Sequence, residues 1–176
     1  MLGCKPAGRH TEQHDIFFAL AGSLKETIPH AKAFWPEAQD MHLDAWREVT
    51  HVDGYEVSVV PKSSGTSENK LFFINLGGYK AGEFDEPHYK LLVVAPNLAA
   101  ATQQAKQTAF FKHTGFTGAN AHIDDKYGVD VDDIYQVEDI LPAVFRENYS
   151  LSVKAVPALP ADELHLGYFK LKTILA

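Results

Sequence analysis

The chain has 176 residues, 45% of them hydrophobic, with a single cysteine and a formal net charge of −7. The apolar share excludes a disordered chain, and a lone thiol excludes an intramolecular disulfide framework. The balance of 16 Lys+Arg against 23 Asp+Glu argues against a nucleic-acid partner, which needs a concentrated basic face, and no apolar run approaches membrane length.

Leu2-Gly3 and Ala7-Gly8 open the chain as a small-residue loop that leads to Glu12, His14 and the apolar Phe17-Phe18. Ser23 is placed to cap a helix over Leu24 to Trp35 that Pro36 ends, and Pro29 predicts a kink or an early stop. Short strands are expected near His42 and over Tyr55 to Val60. The polar stretch around Ser63-Ser64-Gly65 reads as a flexible linker, set at 62–69. Lys70 to Asn75 is an apolar run of buried-strand type. A glycine-bearing loop follows it, then a strand over Tyr89 to Ala95 and a helix over Leu98 to Phe111 capped by Asn97. Further strands are expected near His122 and over Tyr135 to Leu141. Tyr149 to Val156 and Gly167 to Leu175 predict a C-terminal pair joined around Pro157, Pro160 and Asp162.

These elements repeat. Leu2-Gly3, Ala7-Gly8, Glu12 and His14 recur 74 positions later as Leu76-Gly77, Ala81-Gly82, Glu86 and His88, and the ungapped match from Leu2 to Lys32 holds ten identities in 31 positions. Unrelated segments of average composition would share about two. After a small insertion, His42-Leu43-Asp44 aligns with His122-Ile123-Asp124, and Val52-Asp53 with Val131-Asp132. The expected organisation is a first unit over 1–61, the linker, a second unit over 70–144 and a strand hairpin over 145–176. Only Met1 precedes Leu2, so the first unit lacks its first strand; either the natural chain starts earlier or the tail pairs with the open edge, because a bare apolar edge invites aggregation. The fold class is α+β: two pseudo-twofold units, each an antiparallel-rich sheet with one main helix, plus the C-terminal strand pair.

The polar residues kept in both units carry the functional reading. Glu-x-His and His-x-Asp each place two side chains on one strand face, so Glu12, His14, His42 and Asp44, and likewise Glu86, His88, His122 and Asp124, could converge. Two histidines and two carboxylates suit a divalent metal or a general acid–base pair. The bland alternative is that the glutamate accepts loop amide hydrogens while the histidine ties the loop to the sheet. Gly3, Gly8, Gly77 and Gly82 meet either a positive φ or a close approach, and with Gly78 they could also bare amides toward an anion. Asp53 and Asp132 could orient a histidine or cap a turn. The acidic run at Asp124, Asp125, Asp130, Asp132 and Asp133 lacks calcium-loop spacing and reads as a solvated loop. Cys4 stands where the second unit has Gly78, which points to a small residue in a loop rather than a catalytic thiolate. The paired aromatics read as core, while Trp46 and Tyr55 could line a pocket.

The motif Leu-Gly-x-x-x-Ala-Gly-x-x-x-Glu-x-His, together with Asn75 to Tyr79, His122 to Asp130 and Val131 to Tyr135, resembles the bacterial family called domain of unknown function 1543. The resemblance covers about residues 2 to 141 and implies one or two copies of a domain that normally opens with a strand ahead of its Leu-Gly. It carries no activity, cofactor or catalytic residue with it.

The leading functional expectation is small-molecule binding at the Gly-rich loop and Glu-x-His of each unit, above all at Gly77, Gly78, Glu86 and His88 with His122 and Asp124 nearby. A metal-dependent enzyme using the Glu-x-His and His-x-Asp residues is the rival, and a purely structural or interaction module is the third. No cofactor is specified by any motif, and a homodimer is compatible with the sequence. The lone thiol and the lack of a charged-then-apolar leader point to the cytoplasm.

Overall fold

The computed structural model describes residues 1–65, 67–78, 82, 84–108, 129–156 and 158–175, with backbone alone at 129 and 130. It is an α+β fold of three antiparallel sheets. β1 (Leu2–Cys4), β2 (Gln13–Asp15), β3 (His42–Trp46) and β10 (His165–Lys170) form the first, in the order β10-β3-β1-β2. β4 (His51–Val52), β5 (Tyr55–Pro61) and β9 (Tyr149–Ala155) form the second, in that order. β7 (His88–Ala95), β6 (Lys70–Gly78) and β8 (Val129–Gln136) form the third, with β6 central.

β6 shows how a short apolar run becomes the frame of a unit. Its even positions Phe72, Ile74 and Leu76 pack with Ala101 and Ala105 of α2 (Leu98–Ala105), while Leu71 and Phe73 face a second core shared with Val57, Leu151 and Val153 of the middle sheet. Both faces of the strand are therefore covered, which is why it reads as a continuous run rather than an alternation. Asn97 caps α2 by accepting the Ala100 N–H at 2.9 Å. The small Ala101 and Ala105, four residues apart, let the helix approach the sheet closely. Ile74 and Leu76 are fully buried, and each burial stabilises the fold by about 1.5 to 3 kcal/mol.

The first sheet buries Leu2, Cys4 and Leu43 against α1 (Leu24–Phe34) and the C-terminal helix Leu171–Leu175. α1 runs its full length with Pro29 inside it rather than stopping there. Among the described residues no helix is long and apolar enough to cross a membrane.

Several expectations are corrected. The first unit does possess its first strand, shortened to the three residues Leu2–Cys4, and β2 is equally short because it has only those partners: Leu2 with Asp15, Gly3 with His14, Cys4 with Gln13. Cys4 is thus a buried strand residue and not a loop residue. The two C-terminal strands do not form a hairpin. β9 pairs with β5 over seven residues, whereas β10 pairs with β3 and closes the outer edge of the first sheet. Asp162 between them is pinned to the chain at Thr50 and His51, accepting both backbone N–H groups and the Thr50 hydroxyl, which sends the two strands to different sheets. The stretch after Gln136 is helical over Val137–Ile140, not extended. In the linker Lys62–Ser64 form a 3-10 turn, and the Ser67 hydroxyl accepts the Val153 N–H at 2.9 Å, so this segment is docked on β9. Phe17 and Phe18 leave β2 to pack into the first and middle cores, against Phe34 and Phe73.

Candidate functional site

In the first sheet Gly3 stands in the central strand with His14 opposite on one side and His42 on the other. Directly paired residues project to the same face, so the two imidazoles flank a position with no side chain. Glu12 and Asp44, each two residues from its histidine, join that face, which is the one turned away from α1, since Leu2, Cys4 and Leu43 occupy the other. A Cβ on Gly3 would overlap Asp44 Oδ2 and His42 Nε2. Close approach, not backbone conformation, is therefore what Gly3 provides.

The four side chains form a closed ring of alternating imidazole and carboxylate. His14 Nε2 lies 3.6 Å from Glu12 Oε2 and 3.3 Å from Asp44 Oδ2, and His42 Nε2 lies 3.1 Å from Glu12 Oε1 and 3.3 Å from Asp44 Oδ1. The ring has a floor and a mouth: His42 is 3% exposed and Asp44 21%, while His14 and Glu12 are 40% and 43% exposed. Charge-assisted N–H···O bonds are usually about 2.7 to 2.9 Å long and aligned. Here neither nitrogen of His42 has an aligned hydrogen-bond partner among the described residues, and Asp44 Oδ2 has none either. Buried polar atoms left so are costly and call for a reason. The Met1 ammonium closes one side, donating to the Ala45 carbonyl at 2.7 Å; burial lowers its pKa, an effect that the Asp44 carboxylate offsets in part.

The third sheet repeats the device with differences. Gly77 pairs with His88 on one side and Asp130 on the other, and a Cβ there would overlap the Asp132 carboxylate. His88 Nε2 is 3.1 Å from Asp132 Oδ2. One ligand atom from each of Glu86, His88 and Asp132 lies within 4.8 Å of the others. By register, Asp130-Val131-Asp132 occupies the place of His42-Leu43-Asp44, so the alignment of His42 with His122 and of Asp53 with Asp132 does not hold in the fold. His122 and Asp124 lie outside the described residues. Asp53 instead sits at φ 52 in the Asp53-Gly54 hairpin turn, with its carboxylate accepting the Val94 N–H at 3.4 Å, and among the described residues it orients no histidine.

Of the predicted residues, the structure thus brings Glu12, His14, His42 and Asp44 together, and Glu86 with His88. Gly77 and Gly78 are strand residues of β6 rather than loop residues, and the Gly78 N–H donates to Pro87 at 3.1 Å, so their amides are engaged in the sheet. Gly8 and Gly82 do form left-handed turns, at φ 79 and 81. Cys4 faces the α1 core, away from the histidines. Trp46 stacks on His165 at 3.9 Å. Asp132, which the sequence offered only as a residue that could orient a histidine or cap a turn, does lie against His88; its membership of the site had a further signal in the Asp-x-Asp spacing around an apolar residue, the same pattern as His42-Leu43-Asp44. Tyr168 was missed too, and its ring lies 4.1 Å from that of His42.

Residues 9–59 match the family described as Domain of Unknown Function (DUF1543), in agreement with the resemblance carried by the motifs. No curated protein matches the chain. The chain is similar to the crystal structure of a protein Il1583 from Idiomarina loihiensis, at 22% identity and a TM-score of 0.63, over 97% of this chain and 93% of that one. That likeness supports the fold.

Proposed function

We propose that the protein binds a divalent metal ion at Glu86, His88 and Asp132. The observation that carries this reading is the convergence of these three side chains, one ligand atom from each lying within 4.8 Å of the others. In the ring of Glu12, His14, His42 and Asp44 the neighbouring separations of 3.1 to 3.6 Å run through both oxygens of each carboxylate, so single ligand atoms do not converge on one point there. Mixed imidazole and carboxylate ligands favour zinc, manganese(II) or iron(II) over calcium. Such an ion would supply Lewis acidity at the exposed mouth of the site, which supports a metal-dependent enzyme over a module whose polar residues only brace loops. Small-molecule capture by bare glycine amides has less support, because Gly77 and Gly78 are committed to the sheet.

Thermal melting of chelator-stripped protein tests the proposal. Zinc or manganese at about one hundred times its dissociation constant adds about 2.7 kcal/mol to the folded state, so the midpoint rises by several degrees. The same ions leave a His88→Ala, Asp132→Asn variant unmoved. A wild-type midpoint insensitive to every divalent ion contradicts the proposal.

A further inference from the structure

The segment at 62–69 does more than join the two units. Its 3-10 turn at Lys62–Ser64 is followed by Ser67, whose hydroxyl accepts the Val153 N–H at 2.9 Å and holds the segment on β9. Val57, Leu151 and Val153 face the core, so Val60, Ser152 and Lys154 project from the opposite face of the middle sheet. Between that face and the docked segment lies a recess of about 210 Å³, lined by Val60, Ser64, Gly65, Ser67, Ser152 and Lys154. Gly65 shapes its rim at φ 87, a left-handed conformation that other residues rarely adopt.

The polar lining consists of donors. Ser67 Oγ accepts from Val153, which leaves its own proton to give, and among the described residues the Ser64 and Ser152 hydroxyls make no hydrogen bond. Lys154 likewise forms no ion pair among the described residues; Glu56 stands opposite it in the register but does not line the recess. In a chain with 23 Asp+Glu against 16 Lys+Arg, a concave site with an ammonium, three hydroxyls and no carboxylate goes against the overall charge. Such a set of donors is complementary to an anion rich in acceptor oxygens.

We propose that this recess binds a phosphate group, with Lys154 as its counter-charge and the Ser64, Ser67 and Ser152 hydroxyls as hydrogen-bond donors. Donors arriving from two separate segments suit the several oxygens of a tetrahedral anion better than a planar carboxylate. The inference is independent of the metal reading, because Glu86, His88 and Asp132 belong to other parts of the chain and none of them lines the recess.

The test uses the full chain stripped of metal, followed by amide nitrogen–proton NMR, with inorganic phosphate and glycerol phosphate as probes and chloride at equal ionic strength as the control. The expected result is saturable phosphate-induced shifts at the amides of Gly65, Ser67, Ser152 and Lys154, with none from chloride. Lys154→Met weakens binding about fivefold and Ser152→Ala about tenfold, both with thermal midpoints close to that of the wild type, and Lys154→Arg retains it. Tighter binding of glycerol phosphate points to a phosphate carried on a larger molecule, and tighter binding of inorganic phosphate points to the free ion. Absence of saturable shifts, or an affinity indifferent to both Lys154→Met and Ser152→Ala, overturns the proposal. Phosphate that binds only after metal is restored also overturns it, and assigns the anion to the metal site instead.

Discussion

His42 and Gly3 face each other across β3 and β1, and the imidazole Nε2 lies where a side chain on Gly3 would have to begin. A buried titratable ring is thereby held at the floor of a cluster by the absence of a methyl group. Gly3→Ala therefore forces His42 and Asp44 apart. The expected outcome is a destabilisation of about 1 to 3 kcal/mol from overpacking, read by denaturant melts.

The metal site is separable from the fold. His88→Ala combined with Asp132→Asn removes two of its three ligands at positions that are 34% and 30% exposed, so folding is little affected. Metal-induced stabilisation should be lost while the midpoint of the metal-free protein stays close to that of the wild type. Stabilisation by zinc that survives both substitutions would contradict the site.

Asp162 is a brace with no part in the metal chemistry. Its carboxylate, 3% exposed, accepts the Thr50 and His51 N–H groups and the Thr50 hydroxyl at 2.7 to 3.1 Å. Asp162→Ala leaves these donors unpaired and should cost about 3 kcal/mol of stability. Metal affinity measured below the lowered melting point should not change.

Tyr135 reports on the electrostatics where β8 passes β2. Its pKa is raised above the ordinary 10.0 chiefly by the Asp133 carboxylate, then by burial and by the hydrogen bond the phenol donates to Asp133, with a smaller push from Asp15. Because the folded-state value lies above the unfolded one, the stabilisation is complete below the unfolded pKa and is lost as pH rises through the folded one. An ultraviolet titration at the tyrosinate band should show one late-titrating phenol, and Asp133→Asn should move it back toward 10.0.

The parts of the fold set by local chemistry were legible from residues alone. The apolar run at Lys70 to Asn75 and the Asn97 cap each predicted their element, and the Glu-x-His spacing placed both side chains on one strand face. What stayed hidden depends on long-range register. The likeness of His122-Ile123-Asp124 to His42-Leu43-Asp44 drew the pairing to the wrong segment, because a register shift between Asn75 and Leu76 brings Asp132 over Gly77 and no local pattern announces it. The C-terminal strands were visible as strands, but their partners were not, since the Asp162 contacts that separate them join residues 111 and 112 positions apart. A still longer separation in sequence hid Tyr168 from His42.

The central claim is that Glu86, His88 and Asp132 form a metal site rather than an ion-pair network. Calorimetric titration of chelator-stripped protein with zinc, alongside the combined His88→Ala, Asp132→Asn variant, tests it most directly. The account predicts saturable binding in the wild type and its loss in the variant. A wild-type titration without a binding event, or a binding event that survives in the variant, would contradict it.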